Sequence, residues 1–211
     1  MSTETVRHPV FARLYSWLSP RVEKAGVAEH RDELLAGLRG RVVEVGAGNG
    51  LNFGHYGEGV SEVVAVEPEA YLRRRAEAAA ARASVPVLVR DGLADRLPLE
   101  PGEFDAGVAS LVLCSVPDQA AALAELRRVI RPGGELRFYE HVVSDRPRIS
   151  SLERFIDERG IWPRIAGGCH LARDTTAEIQ RAGFLIERVR RFPFKGGPVA
   201  VTHVIGVARR P

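Results

Sequence analysis

The densest chemistry in the chain lies in nine residues, Val42-Val43-Glu44-Val45-Gly46-Ala47-Gly48-Asn49-Gly50, where an apolar run ends in three glycines spaced two apart. Such glycines let a strand turn sharply and let a ligand approach the backbone. The spacing is GxGxG, not the GxGxxG that cradles a dinucleotide pyrophosphate, and no Lys-Ser or Lys-Thr follows as a phosphate loop requires. Two acids extend the pattern. Glu67 directly follows the run Val63–Val66, where a carboxylate accepts from both hydroxyls of a ribose. Asp91 directly follows Val85–Arg90, where it accepts from an adenine amine. Either acid alone reads as an ordinary turn residue, but at the ends of successive strands the two describe an adenosine site.

Cys114 and Cys169 lie far apart, without CxxC spacing, and no metal-ligand pattern joins them to the six histidines. Neither a disulfide scaffold nor a zinc site is expected, and no metal is assigned. Cys114 reads as a small buried hydrophobe.

The elements that must position these groups follow from the periodicity. Val10, Phe11, Leu14, Tyr15, Trp17 and Leu18 form an apolar stripe at helical spacing that Pro20 is expected to stop. A second helical pattern runs from Val22 through Leu34, Leu35 and Leu38 to Gly40. Strands are expected at Arg41–Val45, Val63–Val66, Val85–Arg90, Phe104–Cys114 and Glu135–His141. An alanine-rich helix from Glu69 to Ala83 lies between the second and third. Another helix, capped by Asp118 and ended by Pro132-Gly133-Gly134, lies between the fourth and fifth. Two capping boxes, Ser150 with Glu153 and Thr175 with Glu178, predict two helices in the segment that follows. The runs Phe184–Phe192 and Val201–Ala208, separated by Lys195-Gly196-Gly197-Pro198, predict a closing hairpin. Alternating strands and helices imply an α/β fold with a mostly parallel sheet covered on both faces, and ligands at the carboxyl ends of its strands.

The 211 residues are read as one domain: lid helices at 1–39, a cofactor-binding core at 40–141, an acceptor-side insert and helix at 142–183, and the hairpin at 184–211. The net charge is +3, with basic and acidic residues interleaved, and all but Lys24 and Lys195 of the 30 basic residues are arginine. With no basic or aromatic RNA module and no base-flipping motif, nucleic acid is not the expected partner. No apolar run approaches the roughly 20 residues that span a bilayer and the N-terminus has no signal-peptide pattern, so no integral membrane segment and a cytoplasmic location are expected.

The glycine loop, Glu67, Asp91-Gly92 and the run Leu126-Arg127-Arg128-Val129-Ile130-Arg131-Pro132-Gly133-Gly134 resemble the class I S-adenosylmethionine-dependent methyltransferases. The resemblance implies a Rossmann-like, seven-stranded sheet in the order 3-2-1-4-5-7-6 with strand 7 antiparallel, and S-adenosylmethionine as cofactor. It places Glu44 and Gly46, Ala47, Gly48, Asn49 and Gly50, with Asn52 nearby, at the methionine part. Glu67 and Pro68 fall at the ribose, Asp91, Gly92 and Leu93 at the adenine, and Ser110 and Leu111 at the sulfonium. Tyr15 is the preferred lid residue, through a cation–π contact, with Trp17 as a second candidate.

Gly50-Leu51-Asn52-Phe53 with Tyr56, Leu113-Cys114-Ser115-Val116, Glu140-His141-Val142 and Gly168-Cys169-His170-Leu171-Ala172-Arg173-Asp174 look like the methyltransferase-like thiol S-methyltransferases. The chain is expected to depart from the animal members in lacking their N-terminal hydrophobic anchor, and His170 stands where that pattern is expected to have asparagine. The resemblance implies methyl transfer to a small thiol. The same core also serves C-, O- or N-methylation of a small natural product, quinone or lipid headgroup, or a module that binds the cofactor or a protein without transferring methyl. In-line displacement at a sulfonium methyl needs positioning and desolvation more than a strong base. A cation or hydrogen-bond donor near a thiol of reference pKa near 8.5 raises its thiolate fraction. His141, His170 and Arg173 are the candidates, Arg173 also as the holder of an anionic acceptor. His141 reads equally as a hydrogen-bonded strand-end residue, Arg173 as a partner of Asp174 or a neighbouring acid, and Trp162 as packing or as an acceptor-pocket wall.

Overall fold

The computed structural model describes residues 9–194 and 201–211. Strands β1 (Gly40–Val45), β2 (Val60–Val66), β3 (Val87–Arg90), β4 (Phe104–Ser110), β5 (Ile130–His141), β6 (Leu185–Phe194) and β7 (Val201–Arg209) form one sheet in the order β3-β2-β1-β4-β5-β7-β6. The first five pair in parallel and β7 runs antiparallel to both neighbours, as expected from the sequence.

Helices α1 (Pro9–Val22), α2 (Ala28–Leu35), α3 (Ala70–Ala80), α4 (Gln119–Val129), α5 (Pro147–Glu158), α6 (Ile161–Ile165) and α7 (Thr175–Arg181) complete the fold. Val43, Val45, Val64 and Val66 pack with Leu123 and Leu126 of α4 and Ile179 of α7. Their neighbours Val42, Val63 and Ala65 pack on the opposite face with Leu34 and Leu35 of α2 and Ala76 of α3. Burial on both faces is why these strands read as continuous apolar runs. Glu44 falls on the α2 side, between Val43 and Val45. Neighbour order reverses between β1 and β4, opening the crevice in which such sheets bind ligands.

Several boundaries differ from the sequence reading. Pro20 does not stop the first helix, because a proline removes one helical hydrogen bond without dictating a turn. The break comes at Gly26, whose φ of 115° ends the helical path in a π turn, Glu23–Val27, before α2. α2 ends at Leu35 and the terminating glycine is Gly37, at φ 74°; Leu38 is buried from the linker, which imitates a further helical turn, and Gly40 opens β1. β3 starts at Val87 because Pro86 has no N–H to pair. β4 stops at Ser110, since Leu111 is left-handed at φ 57°, and the apolar residues that follow lie in a loop, Leu111 and Val112 partly buried and Leu113 and Cys114 fully. β5 starts earlier than expected, with Ile130 pairing Phe104 ahead of the irregularity at the glycines.

Neither capping box forms. Ser150 lies inside α5, where its hydroxyl donates to Pro147 O, while Glu153 accepts from Ser144 N; Pro147 already supplies the first turn. Asp174 caps α7, and Thr175 accepts instead from the Gln119 amide. The Lys195–Pro198 turn lies outside the described residues.

Candidate active site

β1 delivers the glycine loop into the crevice. Gly46, Gly48 and Gly50 have φ of 64°, 58° and 79°, which L side chains rarely adopt. A Cβ on Gly46 would stand 2.2 Å from a Val112 methyl, and one on Gly50 would stand 2.7 Å from the Phe53 ring, so packing demands glycine there as well. The amides of Gly46 and Ala47 are spent on Val66 O at 2.8 and 3.2 Å, while Gly48 N donates to Glu67 Oε2 at 2.8 Å. The other Glu67 oxygen accepts from Glu69 N at 2.9 Å. Burial raises the Glu67 pKa against the pull of these two amides. The loop and the acid at the end of β2 are therefore one hydrogen-bonded unit.

Below the loop is a buried polar chain. Glu44 accepts from Asn52 Nδ2 at 2.9 Å and from the Tyr56 hydroxyl at 2.7 Å. Asn52 Oδ1 accepts from Arg31 Nη1 at 2.5 Å, and the same nitrogen reaches Ser110 Oγ at 3.2 Å. Arg31 also forks onto Glu23 at 3.0–3.1 Å. Burial lifts the Glu44 pKa to about 7, opposed by the Tyr56 and Asn52 donors and the Arg31 charge. Arg31 is the principal residue that sequence reasoning missed. Its signal was a charged residue on the buried stripe Arg31, Leu34, Leu35, Leu38, at i, i+3, i+4 and i+7.

α1 covers the loop: the Tyr15 ring lies 3.5 Å from where a Gly48 Cβ would be, and Ser19 Oγ accepts from Asn49 Nδ2 at 3.0 Å. Trp17 is not brought to the site; it is 60% exposed, with the Arg21 guanidinium 4.1 Å from its ring centre. At the end of β3, Asp91 is exposed and pairs with Arg73 at 3.0 Å, and Arg73 also donates to the carbonyls of Glu67 and Pro68. Gly92 leaves no room for a Cβ against Pro98 and Val66, and Leu93 bridges to Arg96. A cleft of about 710 Å³ between Asn49–Gly54 and the Tyr71–Ala83 stretch includes neither Glu67 nor Asp91, so it lies beside these two acids and not between them.

On the other side of the crevice, Leu111 N donates to Tyr139 O and the fully buried Glu140 carboxylate accepts from Val112 N, Leu113 N and Cys114 N at 3.0, 2.9 and 3.1 Å. Burial raises the Glu140 pKa to about 6 despite these amides. The insert packs on this loop: His170 N donates to Cys114 O at 2.8 Å and Arg173 Nη1 to Leu113 O at 2.7 Å. Arg173 therefore ties backbone instead of pairing with Asp174, which caps α7. The His170 ring stands 3.8 Å from Asp157.

Three residues with no ligand spacing in the sequence meet here. His141 Nδ1 is 3.1 Å from Cys169 Sγ and 4.0 Å from Cys114 Sγ, and the two sulfurs are 3.6 Å apart. The Cys114 thiol, then the His141 ring, pull the Cys169 pKa down, while Cys114, sharing its proton with Cys169 and buried, is pushed up. Burial disfavours the His141 cation, but the Cys169 sulfur outweighs it and the His141 pKa is raised. His203 meets His141 edge-on at 4.3 Å and stacks on Tyr139 at 5.3 Å, and its pKa falls to about 3 through burial and the His141 charge.

Residues 43–138 match the family model described as a methyltransferase domain. Human thiol S-methyltransferase TMT1B is 31% identical over 210 residues, which covers 94% of this chain and 85% of that one. An S-adenosylmethionine-dependent methyltransferase from Mesorhizobium loti shares the fold at TM-score 0.65 and 22% identity, over 92% of this chain and all of that one. The [4+2]-cyclase SpnF shares it at TM-score 0.72 and 17% identity, over 95% of each.

Proposed function

This chain belongs to the class I S-adenosylmethionine-dependent methyltransferases and is related to TMT1B, and from that premise we propose that it methylates the sulfur of a small thiol. The observation that carries the sulfur reading is the reach of the likeness. It extends over 94% of the chain, beyond the matched core at 43–138 and through the insert packed on the loop after β4.

The residues fit the cofactor. Glu67 is a buried acid that accepts from the backbone amides of Gly48 and Glu69, and it stands in line with the accessible Asp91 at the ends of adjacent strands. The glycine turn beside it has no room for side chains at Gly46 or Gly50. When bound, S-adenosylmethionine supplies a methyl carbon already activated by a positive sulfonium. We assign Gly46–Gly50, Glu44 and Asn52 to the methionine end, Glu67 and Pro68 to the ribose, Asp91, Gly92 and Leu93 to the adenine, and Ser110 and Leu111 to the sulfonium side. Tyr15 closes over the loop and keeps water from it.

The acceptor enters between α1, the ends of β4 and β5, and the insert. His141 at the end of β5 raises the thiolate fraction of the acceptor, Arg173 fixes the loop after β4, and His170 contributes through the insert. A cytoplasmic location goes with this reading; among the described residues no helix is long and apolar enough to cross a membrane.

The test is incubation with S-adenosylmethionine and a panel of small thiols beside their hydroxyl and amine analogues, following S-adenosylhomocysteine and methylated product by mass spectrometry. Turnover confined to thiols is expected. Turnover on oxygen, nitrogen or carbon acceptors with none on thiols overturns the sulfur assignment and leaves the methyltransferase in place.

A further inference from the structure

We propose that Cys114, His141 and Cys169 hold one Zn²⁺ ion, and that the open fourth position of this ion takes the acceptor sulfur as a thiolate. The fourth-position half rests on the S-methylation reading; the metal site does not.

The geometry carries the site. Tetrahedral zinc, with bonds of about 2.3 Å to sulfur and 2.0–2.1 Å to imidazole nitrogen, sets edges of roughly 3.8 Å between two sulfurs and 3.6 Å between sulfur and nitrogen. The sulfurs here are 3.6 Å apart, and His141 Nδ1 stands 3.1 and 4.0 Å from them. Each edge needs a change of no more than about half an ångström. All three ligand atoms lie within 4.8 Å of one another, and among the described residues no fourth Cys, His, Asp or Glu joins the group. Three protein ligands with one open position is the arrangement of a catalytic zinc site, and two thiolates with an imidazole suit zinc better than a hard cation.

The ligands are held before any ion arrives. Glu140 fixes the Cys114 backbone through three consecutive amides, His141 is the next residue on β5, and the insert presents Cys169 through the His170 N to Cys114 O bond. Gly168 has φ 92° and comes so close to Ser115 O that a Cβ would stand 2.8 Å from it, so only glycine lets the insert approach. The Trp162 indole N–H is buried near Cys169 with no hydrogen-bond partner, which leaves it available as an outer-shell donor to a metal-bound sulfur.

The chemistry balances without an added reagent. The acceptor thiol displaces water from zinc and loses its proton to solvent, since a coordinated thiol is deprotonated. The thiolate sulfur forms its bond to the methyl carbon as the carbon–sulfonium bond breaks, that electron pair staying on S-adenosylhomocysteine. The neutral thioether product is a weak zinc ligand, and water replaces it.

The experiment uses the whole protein, reduced, stripped with a chelator and titrated with Co²⁺ in place of zinc. One equivalent with tetrahedral d–d bands and a thiolate-to-cobalt charge-transfer band is expected. Cys114→Ser and Cys169→Ser are expected to weaken binding at least about 100-fold while S-adenosylhomocysteine binding, measured by calorimetry, shows that they fold. Adding an acceptor thiol, but not its alcohol analogue, changes the d–d bands. Absence of the charge-transfer band, or cobalt bound as tightly and with the same band intensity in both serine variants as in the parent, overturns the site. Full thiol turnover by protein holding substoichiometric metal overturns the fourth-position half and leaves S-methylation standing. Cobalt bound with these bands in a protein that methylates no thiol keeps the site and overturns the fourth-position half.

Discussion

Arg31 Nη1 lies 2.5 Å from Asn52 Oδ1, and through that contact the N-terminal helices hold the acid at the end of β1, since Asn52 in turn donates to Glu44. Arg31 is the cation of a set in which Glu44 and Glu67 are buried and its ion-pair partner Glu23 is partly buried. Breaking a buried ion pair by removing one partner costs about 3–5 kcal/mol, because the other charge stays behind. Arg31→Met is therefore expected to lower stability by that order in urea unfolding, and Arg31→Met with Glu23→Gln to recover part of it. An Arg31→Met protein as stable as the parent would show that the network contributes nothing.

The Glu44 carboxyl sets a pH dependence. Its folded pKa of about 7 lies above the ordinary 4.5, so its contribution to stability is fully present below about pH 4.5 and is lost as pH rises through about 7. Glu44→Gln removes that loss. Relative to the parent, the variant gains roughly 2–4 kcal/mol between pH 5 and pH 8, on top of a pH-independent cost for disturbing Asn52 and Tyr56. An ionised Glu44 also suits the ammonium of the donor, so cofactor affinity is expected to rise with pH up to about 7 in the parent and to stay flat in Glu44→Gln. Parallel stability curves for the two proteins would refute both.

Glu67 and Asp91 are not equivalent, although the sequence presents them alike. Glu67 is buried and holds Gly48 N, whereas the Asp91 side chain is 69% exposed and shared with Arg73. A charge-assisted hydrogen bond contributes about 1.5–3 kcal/mol, so Glu67→Ala is expected to weaken S-adenosylhomocysteine binding roughly 10- to 100-fold or more. Asp91→Ala, screened by water, changes it only a few-fold. Calorimetric titration of both variants checks the ranking, and the reverse order would sink the assignment of Glu67 to the ribose.

The alternation of strands and helices was legible because central parallel strands write continuous valine runs, and because Glu67 and Asp91 each stand one residue past a strand; the sheet order itself followed from the resemblance to the class I methyltransferases. The loop after β4 was not. Leu111–Cys114 are as apolar as a strand, and only a left-handed Leu111 and the amide-binding Glu140 end it, neither of which has a periodicity. Arg31 was hidden among the leucines of its own helix face. The meeting of Cys114, His141 and Cys169 was invisible for a different reason: they sit on a loop, a strand end and an insert, and no spacing along the chain encodes their approach. The helix starts at Pro147 and Asp174 were misplaced because the capping-box pattern outranked a plain proline and aspartate nearby.

Arg173 offers a last separation, between holding the acceptor side and holding the cofactor. Its Nη1 donates to Leu113 O, and its own carbonyl accepts from Val143 N, so it fastens the insert to the loop that Glu140 organises. Among the described residues, no hydrogen bond or ion pair joins it to the glycine loop, Glu44 or Glu67. Removing a charged donor from a partly buried carbonyl leaves that carbonyl unsatisfied at a cost of about 1–3 kcal/mol, spent at the loop beside the reacting sulfur. Arg173→Ala is thus expected to lower kcat/KM for the thiol about 10- to 100-fold with S-adenosylhomocysteine affinity unchanged within error. Arg173→Lys, which keeps a donor but not the guanidinium fork, falls between the two. Steady-state kinetics on the best thiol of the panel, with calorimetry beside it, decides the matter. If cofactor affinity falls in step with kcat/KM, the insert supports the whole crevice and Arg173 has no separate part in positioning the acceptor side.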